Sequence, residues 1–301
     1  MPFGLVDFSL SPIFGRISLL SHHRNSMKTT KIGFIGGGNM ATSLVNGLVA
    51  SGHEPKQIWV SDINPTALSS LSSHLGVNVT QNNQEVIRSV DVVVLSIKPQ
   101  IMAQVAKEIA PYLKQGQLVV SIAAGVNQKS LRNWLGADTA VVRCMPNTPA
   151  LVLTGATALF ANDKVTQAQR DLAETILRAV GIALWVADEN ELDAVTAISG
   201  SGPAYFFLLM EAMEKVAVEM GLEEGTARLL IQQTALGAAK IALESAESPA
   251  ELRRRVTSPG GTTQQAIETF ERGGFSGLVA KALNAAKDRS IEMSKQMETN
   301  E

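Results

Sequence analysis

The arrangement of short apolar runs limits the fold of this chain more than any other feature. Runs such as Val92-Val93-Val94-Leu95 contain no alternating polar residue, which is typical of strands that are buried on both faces. Stretches of helical spacing separate successive runs, so the pattern predicts a parallel sheet covered by helices on both faces. The predicted strands are residues 32–35, 58–61, 77–80, 92–95, 118–122 and 140–144, with two further β-like pieces at 157–160 and 183–186.

The pattern changes after Glu189, where strand-like runs end and apolar residues recur only at helical spacing. We predict helices at residues 203–220, 223–245, 249–256, 263–272 and 275–297. The sequence therefore predicts an α/β domain at residues 27–188 followed by an all-α domain at 189–301.

Composition restricts the class of protein. A chain of 301 residues is long enough for two domains, and 45% hydrophobic with 18% charged residues is ordinary for a globular protein. A formal charge of −2 argues against a nucleic-acid partner. The four histidines and the single cysteine, Cys144, never cluster at zinc spacing, so no metal is expected. The longest uninterrupted apolar runs are shorter than a membrane span needs, so we expect a cytoplasmic protein without a membrane partner.

The first 26 residues differ from the rest, with one acidic residue, two arginines and several serines. A targeting peptide has such a composition, but Pro2, Gly4, Pro12 and Gly15 interrupt any long amphipathic helix. We favour an upstream start, with Met27 as the working N-terminus, and expect a disordered extension unrelated to catalysis.

A glycine-rich turn links the first predicted strand to the first helix and fits G-x-G-x-x-A. In such a turn the first glycine allows a tight bend, the second lets the backbone approach a pyrophosphate, and the small third residue lets the helix pack closely. The N–H groups at the helix start then face the phosphates. This context predicts a Rossmann dinucleotide site, to which Ile35, Gly36, Gly37, Gly38, Asn39, Met40 and Ala41 contribute.

The choice between NAD and NADP depends on the end of the second strand. Asp62 stands where an acidic residue bonds the ribose hydroxyls and favours NAD, and it could instead cap the next helix. If Asp62 turned outward, Ser61, Asn64 and Asn83 could donate hydrogen bonds to a 2′-phosphate. We expect Ser61, Asp62 and Asn83 to bind the cofactor, which we take to be NADPH with NADH as the alternative.

Two further strand ends are predicted to form the nicotinamide side, because ligands of such sheets lie beyond the carboxyl ends of the strands. Small residues after the 118–122 strand leave room for a flat ring, and Lys98 follows a buried strand at the same edge. The residues expected here are Ser96, Ile97, Lys98, Pro99, Ala123, Ala124 and Gly125.

Three other turn-rich segments lie within ordered sequence: Met145-Pro146-Asn147-Thr148-Pro149, Ser199-Gly200-Ser201-Gly202-Pro203, and Ser258-Pro259-Gly260-Gly261-Thr262-Thr263. Together with the glycine turn, Lys98-Pro99 and residues 123–125, they make residues 27–297 resemble the pyrroline-5-carboxylate reductase family. The resemblance implies a CH–NH oxidoreductase of proline biosynthesis. It also implies a helical domain that interlocks with its partner in a homodimer, which in this family often assembles into a ring of five dimers.

The resemblance implies that the substrate lies between the nicotinamide and the loop at residues 258–263. Because a helix is predicted to begin at Thr263, the N–H groups of Gly261, Thr262 and Thr263 would converge on the substrate carboxylate. A plain helix cap is the alternative for this loop. Family behaviour makes Thr263 the catalytic hydrogen-bond partner of the imine nitrogen. The full expected substrate set is Asn147, Glu189, Ser201, Ser258, Gly260, Gly261, Thr262 and Thr263.

Some side chains and functions remain open. Glu189 could assist protonation or be a surface carboxylate, and we expect Arg255 to lie on a solvated face rather than to reach the carboxylate. A β-hydroxyacid dehydrogenase is the nearest rival, and those enzymes use a lysine as acid/base on an early helix of the second domain. Residues 199–209 contain no lysine, histidine or cysteine, whereas alcohol–ketone interconversion normally needs such a titrating group. A non-catalytic, NADP-sensing dimer is the rival from another class.

Overall fold

The computed structural model describes residues 29–299, with side chains described through Glu298. The expectation for residues 1–26 lies outside the described residues. Contacts divide the described chain into two compact units, one formed by residues 29–203 with 282–299, the other by Ala204–Lys281. The units thus divide within a helix, whereas the predicted boundary at residue 189 marks the end of strand-bearing sequence.

The first unit contains an eight-stranded sheet in the order β3-β2-β1-β4-β5-β6-β7-β8. The order 3-2-1-4-5-6 is that of a Rossmann sheet, which confirms the predicted fold class. The strands are β1 Ile32–Ile35, β2 Ile58–Ser61, β3 Asn78–Thr80, β4 Val92–Leu95, β5 Leu118–Ser121, β6 Ala140–Met145, β7 Gly155–Ala161 and β8 Gly181–Trp185.

Two strands, β7 and β8, depart from the predicted parallel arrangement and run opposite to β1–β6. β6 and β7 pair antiparallel, with Cys144 opposite Leu159, whereas the other neighbouring pairs of the described sheet are parallel. The physical reason is the connection at residues 146–154, which holds only one short 3₁₀ turn, Thr148–Val152. A parallel return needs a longer crossover that carries the chain back across the sheet.

Helices cover both faces of this sheet. They are α1 Asn39–Ala50, α2 Pro65–Leu75, α3 Asn83–Ser89, α4 Pro99–Ile109, α5 Gln128–Leu135, α6 Gln167–Arg178 and α7 Glu191–Val195, followed by a π-helical turn at Thr196–Gly200. The sequence pattern did not predict α7 or the π-helical turn.

Alternate residues of one strand belong to different cores. In β4, Val92 and Val94 pack into the cluster that contains α1, α2 and α6, and Val93 and Leu95 pack into the cluster that contains α4 and α5. All four residues are buried. An apolar run without polar alternation is therefore required, because both faces of the strand are covered.

The second unit is helical, as predicted. It contains α8 Gly202–Glu219 from Ala204 onward, α9 Glu224–Glu244, α10 Pro249–Arg255, α11 Thr262–Arg272 and the start of α12 Phe275–Thr299.

This unit exposes many large apolar side chains, including Phe206, Phe207, Leu208 and Leu236 at 62–66% of their full accessibility. Such a surface marks a protein–protein or membrane contact. The stretch Glu191–Glu219 is also long and apolar enough to cross a membrane by length and composition, with mean hydropathy 1.2 and 17% of its apolar 18-residue segment buried. Single polar residues interrupt this stretch, so it contains no uninterrupted apolar run long enough to be recognised from the sequence as a membrane span.

Candidate active site

Gly36 forms the bend between β1 and α1. Its φ is +100°, and a Cβ atom there would lie 2.6 Å from the Ser96 carbonyl oxygen, so only glycine fits. The Gly36 N–H donates to the Ser61 carbonyl at 2.8 Å, and the Ser96 hydroxyl donates to the Gly36 carbonyl at 2.8 Å. The bend is thereby held between the ends of β2 and β4.

The start of α1 has the properties of a phosphate site. Gly38 is its N-cap, and no side chain caps the first turn. No atom lies within 4 Å of the position that a Gly38 Cβ would take. The first-turn N–H groups at residues 39–41 therefore face open space at the positive end of a helix, which fits a dinucleotide pyrophosphate.

Asp62 lies beside this turn. Its Oδ2 accepts from the Gly37 N–H at 2.7 Å, and its Oδ1 accepts from the Asn64 N–H at 2.8 Å. The cap of α2 is Asn64, whose side chain accepts from Thr66 at 3.0 Å, so the cap alternative for Asp62 was wrong. The sequence has no lysine or arginine between residues 57 and 87 to offset the Asp62 charge.

Ser61 and Asn83 lie deeper at the same edge. The Ser61 hydroxyl is fully buried and donates to Asn83 Oδ1 at 2.7 Å. This bond ties the end of β2 to the start of α3 and directs the Ser61 donor into the protein.

The ends of β4 and β5 lie side by side, because Leu95 pairs with Ser121. Lys98 is exposed at the N-cap of α4, with Pro99 in the first turn. After β5, Ala123 is 7% exposed and Gly125 adopts φ +72°. The structure thus brings the residues predicted for the nicotinamide side to one edge of the sheet.

Glu189 lies near that edge but is not a free surface carboxylate. Its Oε1 accepts from the backbone N–H of Gln128, at the start of α5, at 2.6 Å, and from Arg143 Nη1 at 2.5 Å. The Arg143 side chain is only 10% exposed and that of Glu189 27%. The pair anchors β6 and α5 to the chain just before α7. Sequence reasoning missed Arg143, which looks like one more residue of a buried strand.

Asn147 is also engaged with the protein. Its Nδ2 donates to the Ser199 carbonyl at 3.1 Å and its Oδ1 accepts from the Ala156 N–H at 2.8 Å. Ser201 is half-buried at the end of the π-helical turn. Asn147 thus joins the segment after β6 to the turn that carries Ser201.

The loop at residues 258–263 leads into α11 in the helical unit. Gly261 is the N-cap of α11, and no side chain caps the first turn. The Gly261 N–H donates to the Ser258 carbonyl at 3.0 Å, and the Gly260 N–H to Gln264 Oε1 at 2.6 Å. The Gly261 N–H is therefore already bonded within the loop. Of the three N–H groups expected to bind the carboxylate, those of Thr262 and Thr263 remain.

Three side chains in or near this loop differ in their exposure and partners. Thr263 is half-buried and Ser258 is exposed. Arg255 is 62% exposed and pairs with Glu247 and, at 3.7 Å, with Glu251. The expectation of a solvated face for Arg255 agrees with these partners.

Two protein-family models match the chain. The model described as pyrroline-5-carboxylate reductase dimerisation matches residues 189–293, and the model described as NADP oxidoreductase, coenzyme F420-dependent, matches residues 31–125. The second match covers the glycine turn, the Asp62 edge and residues 123–125.

Two relatives that match most of the chain are both described as pyrroline-5-carboxylate reductases. The pyrroline-5-carboxylate reductase of Pseudomonas aeruginosa is 54% identical over 271 residues, which is 90% of this chain and 99% of the relative. The Escherichia coli enzyme is 41% identical over 88% of this chain and 98% of its own length.

Solved structures agree. A pyrroline-5-carboxylate reductase from Coxiella burnetii has a TM-score of 0.85 at 47% identity, over 88% of this chain and 99% of that one. The NADP-bound reductase of Plasmodium falciparum has a TM-score of 0.80 at 29% identity, over 89% and 99%. The glycine turn, the uncapped start of α11 and these whole-length matches lead to one conclusion: the chain belongs to the pyrroline-5-carboxylate reductase family.

Proposed function

We propose that this protein reduces the cyclic imine pyrroline-5-carboxylate to L-proline, the last step of proline biosynthesis, with NADPH as the expected cofactor and NADH as the alternative. The observation that carries the proposal is the 54% identity to the Pseudomonas aeruginosa reductase over 99% of its length. The uncapped starts of α1 and α11 add two anion-binding sites, which suit a dinucleotide and a carboxylate substrate.

The bound nicotinamide would supply a hydride to the imine carbon. The protein's part would be to position the cofactor: the N–H groups at residues 39–41 would hold the pyrophosphate, and Asp62 would bind the ribose. Ser96, Lys98 and residues 123–125 shape the edge that receives the ring. Most of the rate enhancement would come from this positioning rather than from a strong acid.

The substrate carboxylate is proposed to bind at the start of α11. The N–H groups of Thr262 and Thr263 lie in its uncapped first turn, where the helix dipole favours a negative charge. The Ser258 and Thr263 hydroxyls add donors. No basic side chain is needed, and Arg255 already pairs with Glu247 and Glu251.

Thr263 is proposed to hydrogen-bond the imine nitrogen. Hydride addition leaves electron density on that nitrogen, and a threonine hydroxyl is too weak an acid to protonate it alone. The proton therefore arrives on an iminium substrate or from water, with the hydroxyl as donor or relay. Asn147, Ser201 and Glu189 complete the proposed substrate set, and the partners of Asn147 and Glu189 suggest that these two act by holding backbone in place.

The homodimer is proposed to form through the helical unit, with five dimers closing into a ring. The exposed apolar side chains of α8 and α9 support the first step, because a monomer would leave them in water. Residues 189–293 match the dimerisation family model, which offers the same explanation for the apolar stretch Glu191–Glu219. We place the enzyme in the cytoplasm. Native mass measurement tests the assembly, since a dimer and a ten-chain particle differ fivefold in mass.

A steady-state assay tests the activity. Purified protein with NADPH and pyrroline-5-carboxylate should oxidise the cofactor and form proline in equal amounts. Turnover of a β-hydroxyacid with NADP⁺ in place of the imine would favour the dehydrogenase rival. Cofactor binding without turnover of either substrate would leave the NADP-sensing dimer.

A further inference from the structure

The second half of α12 packs against the Rossmann unit. From residue 282 onward this helix belongs to that unit. Its buried or half-buried side chains recur at helical spacing at Ala286, Ser290, Met293 and Met297. One side of the helix therefore faces the protein, and Ile291 and Ser294 beside this stripe are also half-buried.

Met293 of this stripe lies on the loop after β5. A Cβ atom on Gly125 would lie 3.1 Å from Met293 Cβ, so the helix approaches the loop backbone directly. The left-handed φ of Gly125, +72°, also requires glycine. The two constraints together fix the backbone path of residues 123–125.

Glu298, near the end of α12, holds the next helix. Its Oε1 accepts from Asn127 Nδ2 at 2.5 Å, and its Oε2 accepts from Lys129 Nζ at 2.9 Å. Asn127 is the N-cap of α5, because its Oδ1 accepts from the Ser130 N–H at 2.9 Å. The Lys129 and Asn127 hydrogen bonds lower the pKa of Glu298, so the carboxylate is charged at neutral pH.

Glu189 binds the same turn of α5 through the Gln128 N–H at 2.6 Å. Two carboxylates from distant parts of the chain thus hold the turn that ends the 123–125 loop. A separate contact anchors α12: the Ser290 hydroxyl donates to Asp193 Oδ1 at 2.6 Å, and Ser290 is 5% exposed. Removing the Glu298 charge should therefore leave the helix docked.

We propose that Met293 and Glu298 are positioning residues for the nicotinamide half of the cofactor, acting through residues 123–125 and the first turn of α5. The inference rests on the proposed function only in taking residues 123–125 as the nicotinamide side. Neither residue needs to touch the cofactor. We expect them to strengthen binding of the nicotinamide ring and to leave the affinity for the adenosine half of the cofactor unchanged.

The test compares Glu298→Gln and Met293→Ala with the wild type and with Glu292→Gln. Glu292 is an exposed residue of the same helix whose charge pairs with Arg289, so it controls for the loss of a carboxylate from α12. Titration calorimetry measures the Kd of NADPH and of ADP-ribose 2′-phosphate, which lacks the nicotinamide ring. Thermal unfolding shows whether each variant stays folded.

We expect each test variant to weaken NADPH binding about three- to tenfold, the usual effect of one lost hydrogen bond or packing contact. Binding of ADP-ribose 2′-phosphate should stay within about twofold of the wild type, as should both ligands in Glu292→Gln. An unchanged NADPH Kd in folded Glu298→Gln, or equal weakening of both ligands, would overturn the inference. Because these are binding measurements, failure of the proposed reduction would show separately, as absent turnover in the wild type.

Discussion

Asp62 Oδ2 accepts a hydrogen bond from the Gly37 N–H at 2.7 Å, which places a carboxylate inside the turn that is proposed to receive the cofactor. The sequence has no lysine or arginine between residues 57 and 87 to balance that charge. A ribose with free hydroxyls can donate to this carboxylate, whereas a 2′-phosphate is repelled by it.

Asp62 should therefore limit how well NADPH competes with NADH. We expect Asp62→Asn to raise the ratio of kcat/KM for NADPH to that for NADH about tenfold, equivalent to roughly 1.4 kcal/mol. Steady-state kinetics with both cofactors gives the ratio. Asp91→Asn is the control, because Asp91 lies at the amino end of β4, away from the carboxyl ends where Asp62 lies. Its side chain accepts from the Lys31 N–H. An unchanged ratio in Asp62→Asn would remove Asp62 as a specificity determinant.

Thr263→Ala should lower turnover far more than it disturbs folding. Loss of a hydrogen-bond donor at a site of developing charge costs about 100- to 1,000-fold in kcat, and half-buried Thr263 has little packing to lose. Thr263→Ser keeps the hydroxyl and should recover most of the activity. Thr269→Ala is a matched control on α11, since the Thr269 hydroxyl bonds within that helix. It donates to the Gln265 carbonyl and accepts from Arg272 Nη2. Equal kinetics in Thr263→Ala and the wild type would exclude Thr263 from the mechanism.

Arg143 and Glu189 should behave as one unit in stability. Arg143→Met leaves Glu189 without its buried cation, and we expect it to lower the free energy of unfolding by about 2 kcal/mol, less than for a fully buried pair. The double variant with Glu189→Gln should cost less than the sum of the two single changes. Urea unfolding of all four proteins measures the coupling. Additive losses would mean that the pair is not an anchor, and would strengthen a direct role for Glu189 at the substrate.

Cys144 should not react with thiol reagents in the folded protein. It is 3% exposed in β6, and burial raises the pKa of its thiol well above the ordinary range. A raised pKa keeps the group neutral throughout the physiological range, and the thiolate is the reactive form. A colorimetric thiol assay should find almost no reaction in the native state and one thiol per chain in denaturant. Rapid native labelling would show that β6 opens.

Deleting residues 1–26 should leave kcat and KM unchanged. The Pseudomonas aeruginosa reductase aligns over 99% of its length with only 90% of this chain, so the shared fold does not need the whole chain. The measurement is a side-by-side assay of the full chain and a chain that begins at Met27. A large loss of activity would contradict the interpretation of Met27 as the working start.

Much of the Rossmann unit could be predicted because its signals are local. β1 and β4 are short apolar runs, and the glycine turn lies between one strand and one helix. The direction of β7 and β8 was missed because an apolar run looks the same in either direction. Only the short connection at residues 146–154 carried the information.

The site was predicted less completely for a related reason. The residues proposed to line it lie at strand ends and at the start of α11, which pattern and family resemblance locate. The residues that hold them come from far along the chain: Glu298 and Asn127 are 171 positions apart, and Glu189 and Arg143 are 46 apart. No local spacing encodes such a pair. The alternative that Asp62 caps α2 was wrong for a different reason. Asn64 and Asp62 are close in sequence and have similar capping strength, and it is Asn64 that caps the helix.

The contact between Glu298 and Asn127 has a practical consequence for anyone who produces this enzyme. An affinity tag fused to the C-terminus would begin only a few residues beyond a side chain that holds the start of α5. A bulky or highly charged tag there would compete with the Lys129 and Asn127 contacts and alter the measured cofactor affinity. Purification handles belong at the other end of the chain, or behind a protease site that removes them cleanly.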